Sequence, residues 1–337
     1  MSNISLEKYL GLDYPIIQAP MAGGMLSPDF VAKVCEFGAL GSIPTGYLHL
    51  PQIEKFIAEV QQRTKRPFCV NVFVDYADYS NLALKKPDEI KEAERELGMA
   101  VCETYSVVTP PNMDSLIDLM VTMQVPILST TFGALKRDHV EVLKSAGVKI
   151  MTTVNSVYEI DLAVKTQSPD ILIYQNKMAG GHKGGFTSLE HSEQSDILEY
   201  MTLLENVYCI LSGGVVHKPD IEEALNLGFD GVQIGSGFLV TQECSISPMY
   251  KDALIHNTKS AMTTSITGKS ARGLETRISA LNLAINPGFP FLHFATSALR
   301  KHAKECGELE YQSLWCGDGV HKITQTLSLH SYLQQLV

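Results

Sequence analysis

Residues 208–237 read YCILSGGVVHKPDIEEALNLGFDGVQIGSG, and this segment decides the fold class. It opens on an apolar run at 208–212, turns through Gly213 and Gly214, and continues into an amphipathic stretch at 219–227. A second apolar run at 231–235 follows and again ends in glycines, at Gly235 and Gly237. Such runs are too short for helices, and their lack of a polar face suits strands covered on both sides. Strand, helix and strand in that order require a crossover, so the two strands lie parallel.

The alternation extends back to the start of the chain. Apolar runs at 16–20, 39–43, 68–73, 126–131, 148–154 and 171–174 are interleaved with amphipathic patterns such as 27–37, 51–64 and 136–146. Eight such units predict an α/β protein built as a (β/α)8 TIM barrel. A doubly wound open sheet is the alternative, but polar and glycine residues follow many different strands, as they do at a barrel's mouth. Two stretches break the repeat. Residues 85–124 exceed what a crossover needs and predict a helical excursion of two helices. After the last strand the pattern reads as helical from 250 to 304, interrupted at Asn286-Pro287-Gly288-Phe289-Pro290, with a final helix near 320–335. The expected organisation is a barrel over 1–243, a helical substrate or lid subdomain over 244–312, and a segment 313–337 returning to the barrel.

Of the 337 residues 45% are apolar and 19% charged, the balance of a globular protein with a large core. The net charge of −10 argues against nucleic acid as a partner, and any anionic ligand must be held by local dipoles. Cys35, Cys69, Cys102, Cys209, Cys244, Cys306 and Cys316 form neither a CxxC pair nor a zinc spacing, so reduced thiols and no metal site are expected. The opening MSNISLEKYLGLDYP has no basic and apolar signal-peptide pattern, and no apolar stretch reaches membrane-spanning length. A cytoplasmic protein with a small-molecule substrate is expected, and a homodimer is compatible with this reading.

Three sets of residues carry chemistry. The first is 175–185, QNKMAGGHKGG, directly after a strand. Its glycines let backbone pass close to a flat or phosphorylated ligand, and His182 in such a loop can serve as a general base. The bland alternative is a tight turn with a surface histidine. The second set is Gly213-Gly214 with Gln233-Ile234-Gly235-Ser236, the ends of the last two strands, where barrels of this kind hold phosphate. A Rossmann loop is disfavoured because Gly235-Ser236-Gly237 lacks the third glycine and the following acidic residue. The third set comprises Gln18-Ala19-Pro20-Met21, Asn71 and Ser129. Each is readable singly as a satisfied core group, and Gln18 most readily so; together they favour a polar ring system as ligand.

These residues also carry a family resemblance over nearly the whole chain. QAPMAGG at 18–24, Asn71-Val72-Phe73, STTFG at 129–133, AGGH at 179–182, Gly213-Gly214, GVQIGS at 231–236, GKSARG at 268–273 and LWCG at 314–317 resemble the nitronate monooxygenases. The resemblance implies FMN at the barrel mouth, with Asn71, Gln175 and Gly180 against the flavin and Gly214 with 233–236 at its phosphate. Gln18, Ala19, Pro20, Met21, Ser129, Gly181 and Gly213 complete the expected cofactor set. His182 matches the family's active-site histidine, which can take a proton from the carbon beside a nitro group. The implied reaction is oxidation of alkyl nitronates, or of nitroalkanes, by O2 to a carbonyl compound and nitrite. An FMN-dependent enoyl-acyl-carrier-protein reductase using NAD(P)H is the alternative, and a non-catalytic flavin-binding protein a third reading. Asn176, Met178 and Asp318 depart from the family pattern of glycine, glutamate and glutamine at those places.

Overall fold

The computed structural model describes residues 4–74, 79, 83–187, 191–204 and 206–337. Its centre is eight parallel strands: β1 (Ile16–Gln18), β2 (Gly41–Pro44), β3 (Phe68–Phe73), β4 (Ile127–Thr131), β5 (Lys149–Val154), β6 (Ile171–Gln175), β7 (Tyr208–Ser212) and β8 (Gly231–Ile234). They pair in the order β1-β8-β7-β6-β5-β4-β3-β2. The two outer strands meet: Leu40, just ahead of β2, donates to Ile16 O and accepts from Gln18 N, both at 2.9 Å. That bridge closes the sheet and settles the choice between barrel and open sheet in favour of the TIM barrel.

The apolar runs produce the barrel because every strand is covered on both faces. One buried cluster joins Ile17, Leu40, Cys69, Ile127, Met151, Ile171 and Ile210 inside the ring, and Leu6 and Leu10 of the helix Leu6–Leu10 join it from below. Helices cover the outside. Pro28–Phe37 starts where the Ser27 side chain accepts from Phe30 N and stops at Gly38, whose φ of 102° an L side chain rarely adopts. A Cβ there would also meet the Asp13 carboxylate at 2.3 Å.

The excursion before β4 contains the expected helices, Asp88–Glu96 and Met113–Thr122, and adds an antiparallel pair, Ala83–Lys85 with Thr104–Ser106. After β8 the structure departs from a continuous helical pattern. Helices Pro248–His256, Phe291–Ala295 and Ser297–Cys306 flank two strands, Ala261–Thr263 and Ala271–Gly273. Thr263, Thr264, Ile266 and Thr267 are β-branched, and Gly268 at φ 86° breaks the pattern, so that stretch is poor helix former. The end of the chain likewise divides, into a 3-10 turn Asp318–Lys322 and a helix Leu329–Leu336 capped by Ser328. No helix among the described residues is long and apolar enough to cross a membrane.

Candidate active site

A cavity of about 550 Å3 opens at the carboxyl ends of the strands, within the usual size range of small-molecule sites. Most of the sequence-predicted residues line it: Ala19, Pro20 and Met21 after β1, Asn71 in β3, Gln175, Gly180, Gly181 and His182 after β6, Gly213 and Gly214 after β7, and Gln233, Gly235 and Ser236 at β8. Gln18, Ser129 and Ile234 do not reach it. Gln18 is fully buried, accepts from Ser42 N at 2.9 Å and sits against Ala19 O, so it braces the wall. Ser129 accepts from the Asn71 amide at 2.9 Å, and Thr131 accepts a second bond of the same length. Those two bonds fix the Asn71 side chain at the cavity.

The loop 176–185 owes its course to four side chains. Gln175 Oε1 accepts from Gly184 N at 2.6 Å while its Nε2 donates to His182 O at 3.0 Å. Asn155 Oδ1 accepts from Gly185 N at 2.5 Å. The buried Glu159 carboxylate accepts from Asn155 N, Phe186 N, Thr187 N and the Thr187 hydroxyl, at 2.7 to 2.9 Å. Asn176 ties the loop to β7 by donating to Gly213 O at 3.2 Å and accepting from Met178 N at 2.9 Å. Gly180 permits the loop to lie on the segment 316–317, where a Cβ would stand 2.4 Å from backbone. Gly181 and His182 then pair antiparallel with Arg272 and Ala271. The loop is therefore clamped between the barrel and the late part of the chain.

At one end of the cavity the amides of Gly213, Gly214 and Gly235 donate to no acceptor among the described residues. Backbone donors are rarely left without a partner away from bulk water, so three together form a ready anion cradle. A Cβ on Gly213 would stand 2.2 Å from Asn176 Oδ1, and one on Gly214 2.7 Å from the methyl of Met178, which covers this end.

At the other end stands His182. Its ring is packed among Phe132, Phe289 and Trp315 at centroid distances of 5.9, 5.9 and 5.3 Å, and Nε2 lies 2.8 Å from the Thr267 hydroxyl. Burial, then the nearby cations Lys269 and Arg300, push its pKa down to about 3. The imidazole is neutral at neutral pH. Lys269, its own pKa lowered by burial, places its Nζ 4.7 Å from the centre of the Phe132 ring. Arg300 lines the cavity and is held by Thr296, Ser313 and His293 without an ion-pair partner among the described residues. Tyr47 stacks on His293 at 4.0 Å and lines the same wall. Both Tyr47 (φ 70°) and Phe132 (φ 72°) adopt left-handed backbone without being glycine, a strain that accumulates at functional sites.

Sequence reasoning missed Tyr47, Asn155, Thr267, His293 and Arg300. One signal was available: Thr267 directly precedes the motif GKSARG. Arg300 and His293 lie on helices whose pattern reads as an ordinary packed face, and only the fold turns them towards His182.

The chain is similar to known proteins in sequence and in fold. A family model described as nitronate monooxygenase matches residues 5–337. A probable nitronate monooxygenase of Bacillus subtilis is 32% identical over 98% of this chain and 96% of its own. One from Staphylococcus saprophyticus is 30% identical over 97% and 95%. Among solved structures, nitroalkane oxidase from Streptomyces ansochromogenes superposes with a TM-score of 0.84 at 26% identity, covering 96% of this chain and 95% of the other. FabK from Thermotoga maritima, at 20% identity and a TM-score of 0.76 over 99% and 95%, shares the fold.

Proposed function

This chain belongs to the nitronate monooxygenase family, and we propose that it binds FMN at the barrel mouth and oxidises alkyl nitronates with O2 to a carbonyl compound and nitrite. One observation carries the reading: among the described residues, the cavity has backbone donors without acceptors at one end and a guanidinium without an ion-pair partner beside a neutral imidazole at the other. The donors at Gly213, Gly214 and Gly235 fit the phosphate of a flavin mononucleotide, which explains how a chain of net charge −10 holds an anion. Asn71 and Gln175 would face the flavin ring, on side chains already fixed by Ser129, Thr131, Asn155 and Gly184. Bound there, the flavin supplies electron acceptance from substrate and transfer to O2.

The protein's own residues favour substrate in its anionic form. Burial lowers the pKa of Arg300 and of Lys269, and Arg300 has no carboxylate partner among the described residues, so an anionic nitronate near His182 would compensate them. A histidine whose pKa is about 3 is a poor base for a nitroalkane's carbon-bound proton. A nitronate has already lost that proton. Phe132, Phe289 and Trp315 pack apolar surface around the imidazole, which otherwise faces the cavity.

The test is anaerobic mixing of the flavin-loaded protein with ethyl nitronate, with nitroethane, or with NADPH. Bleaching by nitronate alone, and nitrite release once O2 is admitted, is the expected result. Bleaching by NADPH without response to nitronate would replace the reading with a reductase, and response to none would leave a flavin-binding role.

A further inference from the structure

The Thr267 hydroxyl has one proton, and its surroundings determine where that proton goes. Three polar atoms approach its oxygen: His182 Nε2 at 2.8 Å, Lys269 O at 3.4 Å and Lys269 N at 3.5 Å. Lys269 N can only donate, and at 3.5 Å it lies outside the range of an N–H···O bond, roughly 2.7–3.2 Å. Lys269 O can only accept, but 3.4 Å lies outside the range of an O–H···O bond, roughly 2.5–3.0 Å. The proton therefore belongs to the short contact with Nε2, and the imidazole accepts there. A neutral imidazole carries one N–H, which must then be on Nδ1. Nδ1 has no partner among the described residues and is not a buried unpaired atom, so it opens into the cavity that His182 lines. The ring cannot readily turn, since Phe132, Phe289 and Trp315 pack around it. Thr267 is itself 2% exposed.

We propose that Thr267 is a positioning residue that locks His182 as its Nδ1–H tautomer, so that the histidine offers substrate a hydrogen-bond donor and not a base. The acceptor is an oxyanion of the substrate. Its identity as a nitronate oxygen rests on the function proposed above; the tautomer does not. A donor at this point stabilises a nitronate and gives a neutral nitroalkane no route to deprotonation.

Long-range 1H–15N correlation spectra of protein labelled with 15N-histidine read the tautomer directly, with or without flavin. The His182 signals are those lost in His182→Gln. At pH 7 they are expected in the Nδ1–H pattern in wild type and in Thr267→Ser, and in a mixed or Nε2–H pattern in Thr267→Val. An Nε2–H pattern in the wild type, or an unchanged one in Thr267→Val, overturns the proposal. With matched flavin content, kcat/KM for ethyl nitronate should fall about 10-fold or more in Thr267→Val and stay within about 2-fold in Thr267→Ser. Wild-type turnover by Thr267→Val would overturn the donor role even where the tautomer is as stated. Should Thr267→Val fold poorly, the wild-type and Thr267→Ser spectra still decide.

Discussion

Gly235→Ala separates what a glycine does for the fold from what it does for the ligand. Gly235 has φ −112°, which any residue accepts, and a Cβ there would meet only the Ala19 methyl, at 3.6 Å. The fold therefore loses nothing, and removing a glycine from the unfolded ensemble stabilises by about 0.4–1 kcal/mol. Gly213→Ala is the contrast. Its φ is 111°, and the new methyl would stand 2.2 Å from Asn176 Oδ1 and 2.7 Å from Ala179 N. Overpacking and backbone strain together cost about 2–6 kcal/mol. With an unfolding entropy near 2.1 cal/mol/K per residue, a chain of 337 residues loses about 3–8 °C in Tm for Gly213→Ala. The same entropy raises Tm by about 1 °C for Gly235→Ala. In the proposed FMN complex the added methyl would crowd a phosphate at the Gly235 amide, and one charge-assisted hydrogen bond is worth about 1.5–3 kcal/mol, or about 10- to 150-fold in Kd. Flavin fluorescence titrations of the apo proteins with FMN and with riboflavin complete the test. Gly235→Ala should bind FMN more weakly and riboflavin as the wild type does. Unaltered FMN affinity, or an equal loss for riboflavin, would refute the placement of the phosphate.

Three other outcomes are expected. Arg300→Gln should lower kcat/KM for ethyl nitronate by about 10-fold or more while barely changing FMN affinity, because it removes a charge beside His182 and leaves the glycine cradle intact; steady-state kinetics with flavin titration check this. Burial lowers the pKa values of His182 and His293, so these side chains titrate near 6.5 only once unfolded. Stability is then full above about pH 6.5 and falls as pH drops below it, for His182 down to about pH 3, each histidine contributing at most about 1.4 kcal/mol per pH unit. In urea unfolding between pH 7 and 4.5, His182→Gln should show a shallower acid decline than wild type, and an equal decline would contradict its buried neutral state. Glu159→Gln replaces one acceptor oxygen by a donor facing N–H groups of the loop, and should cost about 1–3 kcal/mol by thermal unfolding, with nitronate turnover reduced as the His182 loop loosens.

The barrel was legible because its strands are buried on both faces and announce themselves as unbroken apolar runs; β3 and β7 have the bounds the runs gave. The glycine-rich strand ends were legible for a related reason, since little but close approach of backbone to something calls for glycine there. Periodicity failed between 257 and 290, where β-branched residues and glycines sit among apolar ones and pairing with Gly181 and His182, far off in sequence, decides the structure. Thr267 was marked only by the motif that follows it, and His293 and Arg300 were invisible: polar residues on an amphipathic helix look ordinary until the fold sets them beside His182.

The pairing of Gly181–His182 with Ala271–Arg272 also bears on the order in which the molecule is made. The barrel can close once β8 has emerged, since β1 needs only β8 and Leu40 as neighbours. The histidine loop at that moment still lacks its partner strand, and the Cys316–Gly317 backbone on which Gly180 rests comes later still. A nascent chain thus holds every strand of its scaffold before the segments that complete its chemistry. On stalled nascent chains of increasing length, flavin binding should appear only once Ala271–Arg272 and Cys316–Gly317 have emerged.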